Sequence, residues 1–427
     1  MNRKWAIIAD DFTGAGDSAV QFVSHGKPVL LMIERTSYEI IRKKLETIVI
    51  DTDTRFWEAE AAYRKVIAVT RTLYELGYRN FFKKIDSTLR GNIADEIAAV
   101  MDAGGFRFAI VAPAAPRNKR TVIGGICYVE GVPLSETAVG KDPFTPVSNG
   151  RISSLLQSRF AGAVEELDLT CVRSGPANLR KKIQEGLARG ARAFIADAEL
   201  IDDLKAIANL SSMPGILFVG SSGLAEAVAN GKGGSSAVRN NFYRSSILFT
   251  IGSLTDKSMM QCNTLLNNEL VEELVVDTYH AIHDAQMEMD RLLDLIAQFR
   301  ADRPILLRTD RIVRGDESGL VDKNVGILIS QFLGDISREI VRKCAIKLVF
   351  ASGGDTAARI VEALDADYIR YVNEIVPGIP FGYFKSATLG RRIYFVSKSG
   401  GFGEDDAMLQ CLHLVSSGVM NTRGRKE

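Results

Sequence analysis

The chain has 427 residues, 46% hydrophobic and 25% charged, with 37 Gly and 11 Pro, which excludes disordered, collagen-like and coiled-coil classes and predicts two or three domains at roughly 150 residues each. Lys and Arg total 53 against 52 Asp and Glu, a formal charge of +1, so no overall field draws in nucleic acid or an anionic membrane, and any anionic ligand must be held by local groups. The five Cys stand singly and only His280 and His283 of the four His lie close together, which argues against a disulfide framework, a structural zinc site or a His-rich metal centre.

In chain order, the first apolar run ends at Asp10 and Asp11, too early for the roughly 7–15 apolar residues of a signal peptide. No stretch approaches the roughly 18 uninterrupted apolar residues of a membrane span, and a cytoplasmic location is the expectation. Short β-branched runs then alternate with segments of helical period, which predicts an α/β fold with mostly parallel strands. Strands are expected at 5–9, 28–33, 47–51, 80–84, 107–112, 193–197 and 215–219. The clearest helix is 57–76, where Ala62, Val66, Val69, Leu73 and Leu76 form one stripe and Gly77 supplies a stop.

Residues 113–147 break this rhythm, with Pro113, Pro116, Pro133, Pro143 and Pro146, and Arg117 and Arg120 near the start. Glu130-Gly131 between two apolar runs predicts a tight hairpin there, and the segment reads as a substrate-covering excursion, with an oligomer-contact arm as the alternative. The Gly/Ser-rich stretch 230–237 reads as a linker. It divides the chain into 1–235 and 245–427. Beyond it, strands are expected at 246–251, 304–308, 347–351 and 392–396, and a helix at 324–343 with Val325, Leu328, Phe332, Ile336 and Ile340 inward.

Ligands of parallel α/β sheets bind beyond the carboxyl ends of strands. After the first strand comes Asp10-Asp11-Phe12-Thr13-Gly14-Ala15-Gly16-Asp17. One acid would cap the following helix and Asp17 would complement its dipole, but capping does not explain two acids before the glycines. After the fourth comes Lys83-Lys84-Ile85-Asp86-Ser87-Thr88-Leu89-Arg90, a local cationic notch suited to a carboxylate or phosphate. The second half offers Gly252-Ser253, Gly353-Gly354-Asp355-Thr356 and Lys398-Ser399-Gly400-Gly401. Three glycine turns at strand ends predict a phosphate-binding, nucleotide-holding domain. There is no GxxxxGK[ST] loop.

As a set, these motifs resemble the four-carbon acid sugar kinases. Ala9-Asp10-Asp11-Phe12-Thr13-Gly14, Lys84 through Gly91, Pro113-Ala114-Ala115-Pro116, Gly220 through Ala225, Gly252-Ser253, Gly353 through Thr356, Pro377-Gly378-Ile379-Pro380 and Lys398 through Gly403 run in family order over nearly the whole chain. Phe12, where Leu is usual, and Gly16 are the departures. The resemblance implies two α/β domains with the active site in the cleft between them, an N-terminal acid-sugar domain and a C-terminal ATP domain. It also implies transfer of a phosphoryl group from ATP to O4 of threonate, erythronate or 3-oxo-tetronate.

By the same resemblance Ser253, Gly353, Gly354, Asp355, Thr356 and Gly400 contact the nucleotide, while the loops of Asp10, Asp11, Lys84, Asp86, Ser87 and Arg90 contact the sugar acid. Phosphoryl transfer asks for positioning and charge neutralisation. Arg90 with Lys84 is therefore expected on the substrate carboxylate, Asp11 or Asp86 as proton acceptor, and Asp355 near Mg²⁺. A kinase for another small hydroxylated sugar, or a non-catalytic nucleotide or sugar-acid binding protein, are the alternatives. Which tetronate is bound, and whether the chain forms a homo-oligomer, stay open.

Overall fold

The structure, a computed structural model, describes residues 4–26, 29–33, 47–137, 140, 146–147, 149–229, 246–310, 323–376 and 378–416. The expected linker at 230–237, with Pro143 and Pro377, lies outside the described residues. The strands up to residue 229 are β1 (Trp5–Ala9), β2 (Val29–Met32), β3 (Thr47–Asp51), β4 (Asn80–Lys84), β5 (Phe108–Ala112), β6 (Arg120–Ile123), β7 (Ile126–Val129), β8 (Val132–Pro133), β9 (Val164–Leu167), β10 (Ala193–Ala196) and β11 (Ile216–Gly220). Those after it are β12 (Ile247–Ile251), β13 (Glu272–Val276), β14 (Ile305–Thr309), β15 (Leu348–Ser352), β16 (Tyr368–Val376), β17 (Ile379–Lys385) and β18 (Arg392–Lys398).

Two compact units result. In the first, β3-β1-β4-β11-β5-β10-β9 lie side by side and all pair in parallel. β1 and β5 are buried at every position, the continuous apolar pattern that a sheet covered on both faces requires. From β1 the sheet continues to β3 on one side, whereas from β4 the chain goes to β5 on the other. The carboxyl ends of β1 and β4 thus flank a topological switch point. The predicted helix forms over Ala59–Glu75 with Ala62, Val66, Val69 and Leu73 buried, and Gly77 follows at φ +91°.

The proline-rich excursion contains the antiparallel sheet β6-β7-β8. Glu130 and Gly131 at φ 53° and 83° make the expected two-residue turn. Gly124 and Gly125 make another at φ 59° and 70°, and both of their N–H groups donate to the Asp197 carboxylate, at 2.6 and 2.9 Å.

In the second unit β13-β14-β12-β15-β18 pair in parallel, and antiparallel β17 and β16 extend the sheet. Ile247, Phe249, Phe350, Phe381 and Met408 belong to its core. β13, β16 and β17 are additions to the strands read from the sequence. The sequence of β13 begins with two glutamates, and β16 alternates buried with half-buried residues, so neither shows the solid apolar run that marks the others. Residues 30–33 also belong to this unit, although the sequence reading kept 1–235 together. Their reason is β16: β2 lies next to it, and Ile33 N donates to Asp367 O at 3.2 Å. The predicted long helix spans Lys323–Lys343. Phe332, Ile336 and Ile340 are buried as expected, but Leu328 is 43% exposed and Val325 only half-buried. Among the described residues no helix is long and apolar enough to cross a membrane.

Candidate functional site

In the first unit the loops after β1, β3 and β4 are knitted to one another. Arg55 N donates to Asp10 O at 3.2 Å, and Asn92 Nδ2 donates to the carbonyls of Thr54 and Trp57 at 3.0 and 2.9 Å. Gly91, at φ +99°, lies so close that a Cβ there would sit 3.2 Å from Asp10 Oδ2 and from Arg55 Cγ. Arg55, which the sequence reading did not single out, is the centre. Its Nε and Nη2 donate to both oxygens of Asp10 at 2.9 Å, and its Nη2 and Nη1 to both of Asp11 at 2.7 and 2.8 Å. A guanidinium fork matched to two carboxylates is a strong charge-assisted arrangement. Asp11 Oδ1 also accepts from Gly14 N at 2.9 Å, capping the helix Phe12–Ser24, so the capping role and a site role coexist in one residue. The rule that drew attention to the ends of β1 and β4 applies equally to β3, and would have reached Arg55.

Asp86 is held by its own turn. Thr88 Oγ1 donates to its Oδ2 at 2.6 Å and Arg90 Nε donates to the same oxygen. Arg90, expected on a substrate carboxylate, is thus already in an ion pair with Asp86. The two lysines of the notch part company. Lys83 is fully buried in an ion pair with Glu96 at 2.7 Å, a structural role that removes it from the cationic notch. Lys84 Nζ donates to Ile85 O at 3.0 Å and lies 2.9 Å from where a Cβ on Gly14 would be. Ser87 is half-buried on the same turn. Arg117 is taken by Glu226 at 2.9 and 2.6 Å, whereas the buried Nε of Arg120 has no partner among the described residues.

These environments separate the acids. Burial alone would raise Asp10, but Arg55, Lys83 and Lys84 outweigh it and hold the carboxyl below its usual range. Burial is likewise overcome at Asp86 by Arg55, Arg90 and the Thr88 hydroxyl, which keep it well below the ordinary carboxylate range. At Asp51, burial and the charges of Asp11 and Asp53 act together and push the group well up. Asp17 is raised by burial, lowered by Lys84 and raised again by Asp11, reaching about 7. One loop cluster therefore holds carboxyls pushed down beside carboxyls pushed up, the condition under which acid and base roles can separate.

In the second unit Ser253, Gly353, Gly354, Asp355, Thr356 and Gly400 lie just past the carboxyl ends of β12, β15 and β18, which are neighbours in the sheet. Gly252 N and Ser253 N both donate to Ser352 O at 3.1 Å, and Gly353 N to Lys398 O at 3.0 Å. Gly353, at φ +112°, precedes the helix Gly354–Ala363, whose first N–H groups and dipole suit a phosphate. The spacing excludes side chains: a Cβ on Gly252 would overlap Thr356 Oγ1, and one on Gly400 would overlap Ser253 Oγ. Asp355 is exposed in the first turn of that helix. Behind the loops, buried Lys398 donates from Nζ to Ser352 Oγ at 3.0 Å and Gly400 O at 3.1 Å, and Ser258 Oγ donates to Gly400 O at 3.0 Å. Burial pushes Lys398 down to about 8.

Residues 5–228 match the family model of sugar-binding N-terminal domains, and residues 248–408 that of nucleotide-binding C-terminal domains. The chain is similar to a D-threonate kinase of Salmonella typhimurium, 30% identical over 96% of this chain and 98% of that one. It is also similar to a D-erythronate kinase of Heliobacterium modesticaldum, 26% identical over 97% and 98%. In fold it resembles Haemophilus influenzae protein HI1011, with a TM-score of 0.73 at 23% identity over 96% of this chain and 100% of that one.

Proposed function

The chain belongs to the four-carbon acid sugar kinase family, and from that premise we propose that it transfers the terminal phosphoryl group of ATP to O4 of a four-carbon sugar acid: threonate, erythronate or 3-oxo-tetronate. As a family member it is a phosphotransferase acting on a sugar-acid hydroxyl. The observation that carries the ATP assignment is the meeting of three glycine-bearing loops at the ends of β12, β15 and β18, where added Cβ atoms on Gly252 and Gly400 would collide. Such close backbone beside the first N–H groups of the helix Gly354–Ala363 is what phosphates require. The names of the two kinase relatives support the substrate class, with D-threonate as the first compound to test.

In this reading Asp10, Asp11, Lys84, Asp86, Ser87 and Arg90, with Arg55, shape the sugar-acid side. Arg55 and Arg90 fix the carboxylates of Asp10, Asp11 and Asp86 in place. Among the described residues Lys84 Nζ bonds a backbone carbonyl and Arg120 Nε has no partner, so both cations can serve an anionic group of the ligands, a carboxylate or a phosphate. Ser253, Gly353, Gly354, Thr356 and Gly400 hold the phosphates. Mg²⁺ binds typically through one or two carboxylates plus phosphate oxygens. The exposed Asp355 fits as one such ligand, and the ion would neutralise phosphate charge.

An ADP-release assay over tetronates, aldonates and neutral sugars tests the proposal. Turnover with a tetronate and none with neutral sugars is expected. Turnover confined to neutral sugars, or no ADP from any compound, overturns it. Lys398 adds a pH test. Its protonated form supplies a cation beside the phosphate loops, so as pH rises through about 8 the free protein loses that charge. Affinity for ADP should then fall by roughly tenfold per pH unit between pH 8 and 9.5, and titration calorimetry should show the slope vanish in Lys398→Met. A flat wild-type profile would remove Lys398 from phosphate binding.

A further inference from the structure

Building on the kinase reading above, we infer that Asp17 is the catalytic proton acceptor, a carboxylate on the helix Phe12–Ser24 on the side over which Lys84 lies, with neither oxygen engaged by a described residue. Asp10 and Asp11 give all four oxygens to Arg55. Asp86 accepts from Thr88 and Arg90, and Asp51 accepts from Asp53 N at 3.0 Å. Asp17 has no hydrogen-bond or ion-pair partner among the described residues, and it is half-buried rather than sealed in.

Its place follows from the helix Phe12–Ser24. Gly14 and Asp17 are three residues apart and share a face. Over that face Asp11 Oδ1 and Lys84 Nζ lie 2.5 and 2.9 Å from where a Gly14 Cβ would be. Lys84 from β4, Asp11 from the capping turn, Arg120 from β6 and Arg55 from the loop after β3 are the charges acting on it. From the helix Ser222–Ala229, which packs on this one, Glu226 is neutralised by Arg117. The balance of burial against these charges leaves Asp17 near 7, above an ordinary aspartate and close to the value that favours general-base catalysis at neutral pH.

In the step assigned to it, the O–H bond of the C4 hydroxyl breaks and its proton passes to the Asp17 carboxylate. The hydroxyl oxygen bonds the terminal phosphorus of ATP. The bond from that phosphorus to the bridging oxygen breaks, and its electron pair leaves with ADP.

The test is Asp17→Asn in the full chain, with Asp17→Glu beside it. Kcat of Asp17→Asn should fall by about 10²–10⁴-fold, with KM for ATP and sugar acid within about threefold of wild type. Wild-type kcat/KM should rise with pH through an apparent pKa near 7, and this limb should be missing from the residual activity of Asp17→Asn. Asp17→Glu, which keeps a carboxylate, should recover part of kcat and keep the limb at a shifted pKa, a result that a merely structural role would not give. Retained kcat in Asp17→Asn, a change in KM alone, or an unmoved acid limb overturns the assignment while leaving the kinase reading intact. Absence of wild-type turnover across the whole panel overturns both.

Discussion

Arg55→Met should lower the stability of the N-terminal unit by about 3–5 kcal/mol and abolish turnover. The arginine is 8% exposed and bonds both carboxylates of Asp10 and Asp11. Removing one partner of a buried ion pair strands the other, and this cost exceeds the net worth of the intact pair. For a unit of this size the thermal midpoint should fall by on the order of 10 °C. The sign of the pH dependence follows from Asp10. In the native protein its pKa is held below the ordinary value, so its contribution is present above that value and lost as pH falls through the folded-state pKa. Without Arg55, burial dominates, the folded state takes up a proton, and the deficit against wild type should narrow between pH 7 and 5. Arg55→Lys should recover little, since one ammonium cannot bond four oxygens as the fork does. A loss below about 1 kcal/mol, the range of an exposed pair, would show that the network is not a buried one.

Gly400→Val should weaken ATP and ADP binding by at least about 100-fold and leave sugar-acid binding unchanged. The added Cβ would overlap Ser253 Oγ and come within 2.8 Å of Ser253 Cβ and 3.2 Å of Thr255 Oγ1. The hydroxyl can rotate away but the Cβ cannot, so the β12 loop must move. Gly400→Ala already forces that shift and should cost roughly tenfold, since each 1.4 kcal/mol is a factor of ten in affinity. Valine adds two methyl groups where neighbouring loops touch. Calorimetric titration with ADP measures both variants, and alanine binding like wild type would remove Gly400 from the phosphate site.

Several parts of the fold were legible because their physics is local. Strands covered on both faces are largely apolar runs, so β1, β3, β5, β12 and β15 stand out in the sequence, and the loops after several of them carry glycines and acids at fixed places. The Glu130-Gly131 hairpin was legible for the same reason: two adjacent residues adopt positive φ and nothing distant is needed. β13 and β16 escaped notice because charged or half-exposed residues interrupt their apolar pattern. Leu328 fits the helical period yet is exposed, since period alone gives the face and not how far the packing extends along it.

In the candidate site, sequence proximity misled about Lys83 and Lys84. They are adjacent, but successive strand residues point to opposite faces, and one is buried against Glu96 while the other lies over Gly14. Arg55 carried no motif, because its importance comes from two carboxylates more than forty residues away in the chain. The sequence by itself determined the α/β class, the order of the loops and the family to which the chain belongs. Only the tertiary structure decided which acid is pushed down and which is pushed up. A carboxyl's proton affinity depends on burial and on charges within a few ångströms, and at Asp10, Asp17 and Asp86 those charges are brought by β4, β6 and the loops after β1, β3 and β4, which meet only when the sheet has formed.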